Sequence, residues 1–303
     1  MPARELADCL VIGAGPAGMT AGLYLRRFHR DVAVVGGDDS RAALIPVSHN
    51  YPGFPDGIPG TALLERLRRQ LAEVDGAVTA GRVEALVHAD EGVFAARVGD
   101  ATLHARTVVM ATGILDREPR VPGIADLRQR GLLRQCPICD GYEFTGRRIA
   151  VIGAGDHGAR EALFLRNYSE RVTFIAVDDE HMPDAAAAAD LRARAIDVVR
   201  GAVTAATPDG GGVRVELAGG ATHSFDVLYA ALGATPRAKL AVDLGAAVDD
   251  IGALVVDAHC RTTVPGLYAA GDVVHGLDQL AVSVGQAAIA ATAIHNELRS
   301  RGL

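Results

Sequence analysis

Tryptophan is missing from the 303 residues of this chain, and all aromatic side chains together make up only 4%. Basic residues are in the minority, with 30 Lys and Arg against 37 Asp and Glu, which gives a formal net charge of −7. Proteins bind the phosphate backbone through a basic surface, and they hold single-stranded bases by stacking them on aromatic rings. The composition therefore argues against a nucleic-acid partner.

Long apolar runs are lacking as well. No stretch of the sequence approaches the roughly 20 consecutive apolar residues that a membrane-spanning helix needs. The first apolar run, from Leu10 to Ile12, ends at Gly13, which indicates a core strand rather than the hydrophobic part of a signal peptide. We therefore expect no membrane partner and a cytoplasmic location.

Cysteine is scarce: the four are Cys9, Cys136, Cys139 and Cys260. Four cysteines are too few for a disulfide-stabilised scaffold in a chain of this length. Cys136 and Cys139 are separated by two residues, a spacing typical of redox or metal chemistry. A structural zinc site needs four ligands, usually from a second Cys or His pair, but the sequence has no second C-x-x-C, and Cys9 and Cys260 are isolated. We therefore predict a redox pair, no metal site, and burial of Cys9 and Cys260 in the core.

What the sequence does contain is an internal repeat. Residues 9–15 (CLVIGAG) resemble residues 149–155 (IAVIGAG). In each copy an apolar strand enters G-x-G-x-x-G, and a helix and a second strand follow within about 30 residues, as in the dinucleotide-binding βαβ unit. Such glycines allow a tight turn, a close approach of backbone to pyrophosphate, and close packing of helix on strand. The motif glycines are Gly13, Gly15 and Gly18 in the first copy and Gly153, Gly155 and Gly158 in the second.

Each repeat closes on a further apolar strand, at residues 108–113 (VVMATG) and 227–233 (VLYAALG). A third such stretch, residues 266–272 (GLYAAGD), has no glycine motif of its own, so we expect it to complete the first repeat. The prediction is an α/β fold with two Rossmann-like dinucleotide-binding domains, the second inserted into the first. The expected first domain comprises residues 1–116 and 243–303, and the expected inserted domain comprises residues 117–242.

The order of these motifs resembles that of the low-molecular-weight thioredoxin reductases over essentially the whole chain. The most specific element is the run Cys136-Pro137-Ile138-Cys139-Asp140-Gly141, placed shortly before the second glycine motif. The resemblance implies an FAD-binding first domain, an inserted NAD(P)-binding-like domain that carries the cysteines, and a homodimer. It also implies a partner that is a thioredoxin-like protein or a small dithiol or disulfide compound.

The resemblance assigns FAD contacts to particular residues. Asp272 is expected to hydrogen-bond the ribitol or phosphate region, and a helix N-cap role is the less favoured alternative. Asn50 is expected on the flavin side, although a turn role is an alternative. Asp38 or Asp39 would replace the ribose-binding acid, since glycines stand where that acid is expected. The expected FAD contacts are Gly13, Gly15, Pro16, Ala17, Gly18, Asp38, Asn50, Ala111, Thr112, Gly113, Gly271, Asp272, Gln279 and Leu280.

The resemblance also divides the redox chemistry among three residues. Cys139 is expected to face the flavin, and Cys136 is expected to attack the disulfide of the partner. Thiol–disulfide exchange proceeds by thiolate attack through a mixed disulfide, and the Cys-x-x-Cys motif lowers the thiol pKa so that a thiolate is available. Asp140 is the expected proton donor and acceptor, because its carboxyl follows Cys139 directly in sequence.

The pattern for binding NADPH is missing. The second strand of the inserted repeat continues into Asp178-Asp179-Glu180-His181, with no arginine to bind a 2′-phosphate. Asp178 lies 20 residues beyond Gly158, about where an acid binds the 2′-hydroxyl of NAD. We therefore predict against NADPH. NADH at a site made of Gly153, Gly155, Gly158 and Asp178 is one remaining donor, and a ferredoxin is another.

Two other functions stay open at this point. Electrons could flow in reverse, so that the protein is a dithiol oxidase that forms a disulfide in a small molecule with oxygen as acceptor. In the natural-product dithiol oxidases that resemble this chain, His follows the second cysteine, whereas this chain has Asp140, which favours the reductase. A flavin-binding redox sensor with little turnover is the third hypothesis.

Overall fold

The computed structural model describes residues 6–90 and 92–303 of the chain, which falls into two compact units. Unit 1 comprises Met1–Leu115 and Thr235–Leu303, and unit 2 comprises Asp116–Ala234. Residues 1–5, which belong to the predicted first domain, lie outside the described residues. In the described part of the chain, no helix is long and apolar enough to cross a bilayer.

The helices and strands follow one another in the alternating order of an α/β protein. The chain up to residue 116 forms β1 (Ala7–Ile12), α1 (Pro16–Arg27), β2 (Val32–Gly36), α2 (Gly60–Ala72), β3 (Val78–Ala80), β4 (Ala85–Asp90), β5 (Val93–Val98), β6 (Ala101–Met110) and β7 (Ile114–Asp116). There follow α3 (Ile124–Gln129), β8 (Leu133–Arg134), α4 (Pro137–Asp140), β9 (Ile149–Gly153), α5 (Gly155–Leu165), β10 (Val172–Ala176), α6 (Ala185–Ala193), β11 (Asp197–Val199), β12 (Val203–Asp209), β13 (Gly212–Leu217), β14 (Thr222–Phe225) and β15 (Val227–Ala231). The last elements are β16 (Ala234–Pro236), α7 (Lys239–Val242), β17 (Leu267–Ala269) and α8 (Leu280–Ser300).

Unit 1 is built on a sheet with the strand order β3-β2-β1-β6-β5-β4, in which β17 also pairs with β6. Strands β1, β2, β3, β6 and β17 run parallel, whereas β4 and β5 are antiparallel to their neighbours. Apolar side chains of β1, α1, β17 and α8 form a common core that includes Val11, Leu25, Tyr268 and Ile294. Because parallel strands end at one edge of a sheet, the turns after β1, β6 and β17 lie at the same edge.

Unit 2 repeats this plan on a smaller scale. Its parallel sheet has the order β11-β10-β9-β15-β8, and a separate antiparallel sheet contains β12, β13 and β14. The sequence β9–α5–β10 corresponds to β1–α1–β2 in unit 1. Side chains of β9, α5, β10 and β15 share a core that includes Val151, Leu165, Phe174 and Tyr229. The prediction of two Rossmann-like domains, the second inserted into the first, is confirmed.

The return of the chain to the first compact unit differs from the expected position. Unit 1 resumes at Thr235, whereas the sequence suggested residue 243. The reason lies in α7, because its N-cap Ala238 and its residue Ala241 are buried in the unit 1 core together with Leu254 and Val273. Residues 235–242, which the sequence placed in the inserted domain, therefore contribute apolar side chains to the core of unit 1.

Candidate functional site

The first glycine motif forms a turn that has no room for side chains. Gly13 has a φ of +117°, and a Cβ on it would lie 2.1 Å from the backbone oxygen of Ala111. A Cβ on Gly18 would lie 1.8 Å from the backbone oxygen of Gly13. Both positions therefore require glycine. The absence of a side chain at Gly18 lets α1 pack against the end of β1, and its absence at Gly13 lets the end of β6 approach the turn.

The N-terminus of α1 suits an anionic group. The helix begins at Pro16, its N-cap Gly15 has no capping side chain, and its first turn contains no acidic residue. Proline fits the first helical position because it lacks the N–H that would otherwise be unpaired. The remaining N–H groups of the first turn and the positive end of the helix dipole favour a phosphate. The tight glycine turn and this helix end together fit the pyrophosphate of a dinucleotide.

The turn after β17 lies against the same helix end. A Cβ on Gly271, which has a φ of +82°, would lie 2.9 Å from the Cβ of Ala17 in α1. Oδ2 of Asp272 lies 3.1 Å from Nη1 of Arg41, and Oδ1 accepts a hydrogen bond from the Ser283 hydroxyl at 3.1 Å. The structure therefore places Asp272 beside the first glycine motif. The N-cap of α8 is Gln279, so the alternative N-cap role for Asp272 is wrong for that helix.

Asn50 and Gln279 are brought together from distant parts of unit 1. Nδ2 of Asn50 donates a hydrogen bond to Oε1 of Gln279 at 2.8 Å, and Oδ1 of Asn50 accepts one from the Ser48 hydroxyl at 3.0 Å. Leu280, the first residue of α8, packs against the cluster of buried side chains that contains Met19 of α1. The hydrogen bond joins Asn50 to Gln279, and Leu280 follows Gln279 directly in the chain, so the three residues lie close together in unit 1.

The turn after β6 contributes Ala111, Thr112 and Gly113. Ala111 contacts the Gly13 turn as described, and the Thr112 hydroxyl donates a hydrogen bond to the backbone oxygen of Arg237 at 2.8 Å. Gly113 has a φ of +67°, a backbone conformation that favours glycine. This turn therefore lies at the same edge of the sheet as the first glycine motif.

The acidic residues after β2 lie on the surface. The Asp38 side chain is 99% exposed and its Oδ1 lies 3.5 Å from Nη2 of Arg68, which is a weak contact. Asp39 pairs more closely with Arg237, whose Nη1 lies 3.0 Å from Oδ2 of Asp39. A Cβ on Gly36 would lie 2.5 Å from the backbone nitrogen of Ala14, so the end of β2 lies against the glycine turn. A ribose-binding acid is expected at the end of β2, where the chain has Gly36 and Gly37, and Asp38 and Asp39 come directly after these glycines.

Unit 2 carries the close cysteine pair. Cys136 and Cys139 form a disulfide with their Cα atoms 5.3 Å apart. Cys136 is the N-cap of α4, Pro137 is its first residue, and the Cys139 N–H donates to the Cys136 carbonyl at 3.0 Å. Both cysteines are partly exposed, and Ile138 between them is exposed. The short helical turn thus holds the two sulfurs at bonding distance where a partner could reach them.

Asp140 follows Cys139 and is held inside a small cluster of side chains. Its Oδ1 accepts a hydrogen bond from the Tyr229 hydroxyl at 2.6 Å, and its Oδ2 lies 3.3 Å from Nη1 of Arg134. The Arg134 guanidinium lies 5.2 Å above the Phe144 ring centre, and Phe144 meets the Tyr229 ring edge-on. We call Arg134, Asp140, Phe144 and Tyr229 the Asp140 cluster.

The electrostatics of the Asp140 cluster combine opposing effects. Burial raises the pKa of Asp140 above its ordinary value, and the Tyr229 hydrogen bond and the Arg134 charge act against this rise. Burial, followed by the nearby Asp140 charge, raises the pKa of Tyr229, so its hydroxyl remains a donor at neutral pH. Sequence reasoning singled out Asp140 but missed Arg134 and Tyr229. A tyrosine within the otherwise aliphatic strand β15 was the available signal, because a buried hydroxyl needs a partner.

The second glycine motif also forms a close contact between strand and helix. A Cβ on Gly158 of α5 would lie 2.6 Å from the Cα of Gly153 at the end of β9. Gly155 begins α5 with a φ of +52°. Unlike the first motif, this one has an acid in the first helical turn, Asp156, whose Oδ1 accepts a hydrogen bond from the Asp184 N–H at 3.0 Å. The turn fits a nucleotide sterically but presents a carboxylate at the helix end.

Asp178 lies just beyond the end of β10, next to the second glycine motif. Strand β10 pairs Ala176 with Gly153, which places both strand ends at one edge. Oδ1 of Asp178 accepts hydrogen bonds from the N–H groups of Glu180 and His181 at 3.0 and 2.9 Å and lies 2.6 Å from Nδ1 of His181. The His181 side chain is the main cause that lowers the pKa of Asp178. This edge therefore presents the ionised carboxylate of Asp178.

The other two cysteines are buried, as predicted. Burial raises the pKa of the Cys9 thiol to about 12 and that of the Cys260 thiol to about 11. Such thiols stay protonated at neutral pH and are poor nucleophiles. Within residues 6–90 and 92–303, no group of three His, Cys, Asp or Glu side chains is arranged to hold a metal ion.

Comparison with known proteins gives consistent matches over most of the chain. A sequence profile of the family described as pyridine nucleotide-disulphide oxidoreductase matches residues 7–287. The thioredoxin reductase of Listeria monocytogenes is 31% identical over 95% of this chain and 92% of its own length. The thioredoxin reductase of Mycolicibacterium smegmatis is 32% identical over 95% of both chains. The crystal structure of thioredoxin reductase from Streptococcus pyogenes superposes with a TM-score of 0.90 at 29% identity, over 98% of this chain and 100% of that one.

Proposed function

The chain belongs to the pyridine nucleotide-disulphide oxidoreductase family, and we propose that, as a flavin-dependent disulfide oxidoreductase, it reduces thioredoxin or a similar dithiol protein through Cys136 and Cys139. The observation that carries the proposal is a partly exposed Cys136–Cys139 disulfide followed in sequence by the mostly buried carboxylate of Asp140, in a chain with two dinucleotide folds. The named relatives in Listeria and Mycolicibacterium support thioredoxin as the partner.

Unit 1 is the proposed FAD domain. The glycine turn at Gly13 and the N-terminus of α1 would hold the pyrophosphate, and Asp272 would contact the ribitol or phosphate region beside it. Asn50 and Gln279 would lie on the flavin side. Bound FAD would supply the two electrons that reduce a disulfide. Support comes from the two positions where a Cβ would collide with backbone and from the helix end without an acidic residue.

The proposed exchange reaction uses the two cysteines in sequence. Reduction of their disulfide breaks the S–S bond with two electrons and two protons and leaves two thiols. The Cys136 thiolate then attacks one sulfur of the partner disulfide, which forms a mixed disulfide and releases one partner thiolate. Cys139 attacks the Cys136 sulfur, restores the enzyme disulfide and releases the second partner thiolate. Asp140 would accept the proton of the attacking thiol and return it to a departing thiolate.

We further propose that the electron donor is not NADPH. Asp178, Asp179 and Glu180 follow one another just beyond the end of β10, and Asp156 lies in the first turn of α5. These carboxylates would repel a 2′-phosphate, whereas the 2′-hydroxyl of NADH could donate a hydrogen bond to Asp178. The pairing of Asp178 with His181, which favours the ionised carboxylate, supports NADH over NADPH.

An anaerobic titration of the flavin-loaded protein tests both proposals. We expect NADH to bleach the visible absorption band of the bound flavin and NADPH to do so far less effectively. Thioredoxin disulfide should then restore the band. The Asp178→Ala variant should respond less to NADH, while Asp179→Ala, a change of the exposed neighbour, should respond normally.

Other outcomes of the titration would contradict parts of the proposal. If neither nicotinamide bleaches the flavin, the nicotinamide-dependent reductase is excluded. If a dithiol bleaches the flavin and air restores it with turnover, the protein is a dithiol oxidase instead. If NADPH is as effective as NADH, the role assigned to the carboxylates after β10 is wrong.

A further inference from the structure

Tyr229 is a polar residue in a strand that is otherwise aliphatic. Strand β15 has the sequence VLYAA, all five of its residues are buried, and Tyr229 has an exposure of 0%. Its hydroxyl donates to Oδ1 of Asp140 at 2.6 Å. A buried hydroxyl without a hydrogen-bond partner is unfavourable. The bond to Asp140 provides that partner, and it links Tyr229 to a residue 89 positions away in the chain.

Arg134 approaches the same carboxylate from the neighbouring strand. Strands β8 and β15 pair with Arg134 opposite Tyr229. Nη1 of Arg134 lies 3.3 Å from Oδ2 of Asp140, so each carboxylate oxygen has a different partner. The ring of Phe144 contacts both, since it lies 5.2 Å below the Arg134 guanidinium and has its centre 6.2 Å from that of Tyr229. The strand register therefore fixes the direction from which Asp140 is held.

The geometry points to Tyr229 and Arg134 as positioning residues that hold the Asp140 carboxylate, next to Cys139 in the chain, as the proton acceptor of the reduced Cys136–Cys139 pair. This inference rests on the proposed function and adds two residues to it. A buried carboxylate with no donors would take up a proton and could not act as a base. A phenol hydroxyl and a guanidinium both favour the ionised form.

The charged and titratable groups around Asp140 come from three elements. Arg134 lies on β8, Tyr229 lies on β15, and Glu143 lies in the 3₁₀ helix Gly141–Phe144 that follows α4. Tyr229 and Arg134 lower the pKa of Asp140, whereas the negative charge of Glu143 raises it by disfavouring the ionised carboxylate. The balance decides at which pH Asp140 can accept the proton of the attacking thiol. That proton later passes to the partner thiolate, so the enzyme returns to its starting protonation state after each exchange.

The test uses alkylation of the full-length protein after chemical reduction and removal of the reductant. The rate at which iodoacetamide modifies Cys136 and Cys139 is measured against pH, and peptide masses separate these sites from Cys9 and Cys260. We expect the profile to contain an inflection that disappears in Asp140→Asn. Tyr229→Phe, which removes only the hydroxyl, should move that inflection up by about one pH unit. Arg134→Gln, a change on a different strand, should move it in the same direction.

Tyr268→Phe is the matched control. Tyr268 is likewise a fully buried tyrosine whose hydroxyl donates to a carboxylate, that of Glu297, but it lies in unit 1. Its variant should leave the inflection in place, and Tyr229→Phe should have no further effect on a protein that already carries Asp140→Asn. The inference is overturned if wild type shows no inflection that depends on Asp140, or if Tyr229→Phe shifts it no more than Tyr268→Phe. Because alkylation needs neither an electron donor nor a partner, its result is independent of whether thioredoxin is the substrate.

Discussion

The side-chain amide of Asn50 donates a hydrogen bond to the side-chain oxygen of Gln279 at 2.8 Å, across 229 positions of the chain. The contact ties the loop after β2 to the start of α8 within unit 1. Two residues assigned separately to the flavin side by resemblance therefore lie together. Their hydrogen bond holds the two side chains in a defined geometry at that part of the proposed FAD site.

Replacing either member of this pair should weaken flavin binding. A single hydrogen bond contributes about 1 kcal/mol, so Asn50→Ala and Gln279→Ala should each raise the dissociation constant for FAD about fivefold. Because the two residues act through one contact, the loss of FAD affinity in the double variant should be smaller than the sum of the two single losses. Fluorescence of released flavin measures the effect, and Asn296→Ala, on the exposed side of α8, is the control. Additive losses would show that the pair does not act as a unit.

Two helical glycines should respond to alanine in opposite ways. In Gly18→Ala the new Cβ would collide with the Gly13 backbone at 1.8 Å, so we expect the free energy of unfolding to fall by about 2 kcal/mol and FAD retention to be lost. In Gly285→Ala the new Cβ meets no atom within 4 Å, and because this position of α8 is exposed, the change should stabilise the protein by about 0.5 kcal/mol. Urea unfolding and the absorption of bound flavin measure both effects. Equal effects of the two changes would contradict the steric argument.

The cysteine variants should separate the two roles proposed for the disulfide. Cys139→Ser keeps the attacking Cys136 but removes the thiol that resolves the mixed disulfide. This variant should therefore accumulate a covalent adduct with a disulfide substrate, detectable by mass. Cys136→Ser should form much less adduct, and Cys260→Ser, a change of a buried thiol, should behave as wild type. A stable adduct on Cys136→Ser alone would reverse the assignment of the two sulfurs.

The pair Arg30 and His295 should make folding stability depend on pH. Nε of the buried Arg30 donates to Nδ1 of His295 at 3.1 Å, which requires an unprotonated acceptor. Burial and the charges of Arg30 and Arg299 lower the pKa of His295 in the folded protein. The unfolded chain therefore binds a proton first as the pH falls through about 6.5, and stability is lost in that direction.

His295→Asn tests this dependence, since Asn keeps an acceptor near the position of Nδ1 but does not titrate. The free energy of unfolding of wild type should fall more between about pH 7 and pH 5 than that of the variant. His259→Asn, at an exposed histidine, should follow the wild-type curve. Identical pH dependence in wild type and His295→Asn would show that another group is responsible.

The sequence alone was sufficient for the features that depend on neighbouring residues. The two glycine motifs, the Cys136–Cys139 spacing and the missing arginines after β10 are local patterns. The glycines mark a turn without room for a Cβ, and the cysteine spacing allows two sulfurs to meet across a short loop. The missing arginines leave no positive charge for a 2′-phosphate. These patterns were enough to predict two Rossmann-like domains, and the structure confirms them.

Only the tertiary structure revealed which distant side chains meet. It paired Asp140 with Tyr229 and Arg134, joined Asp272 to Arg41 and Ser283, and returned the chain to unit 1 at Thr235 rather than at residue 243. These contacts depend on strand order and on a register that places Arg134 opposite Tyr229. Strand order and register come from packing over the whole sheet, and no local stretch of sequence encodes them. The sequence thus predicted Cys136 and Cys139 as the redox pair, and the fold determined which residues surround Asp140 beside them.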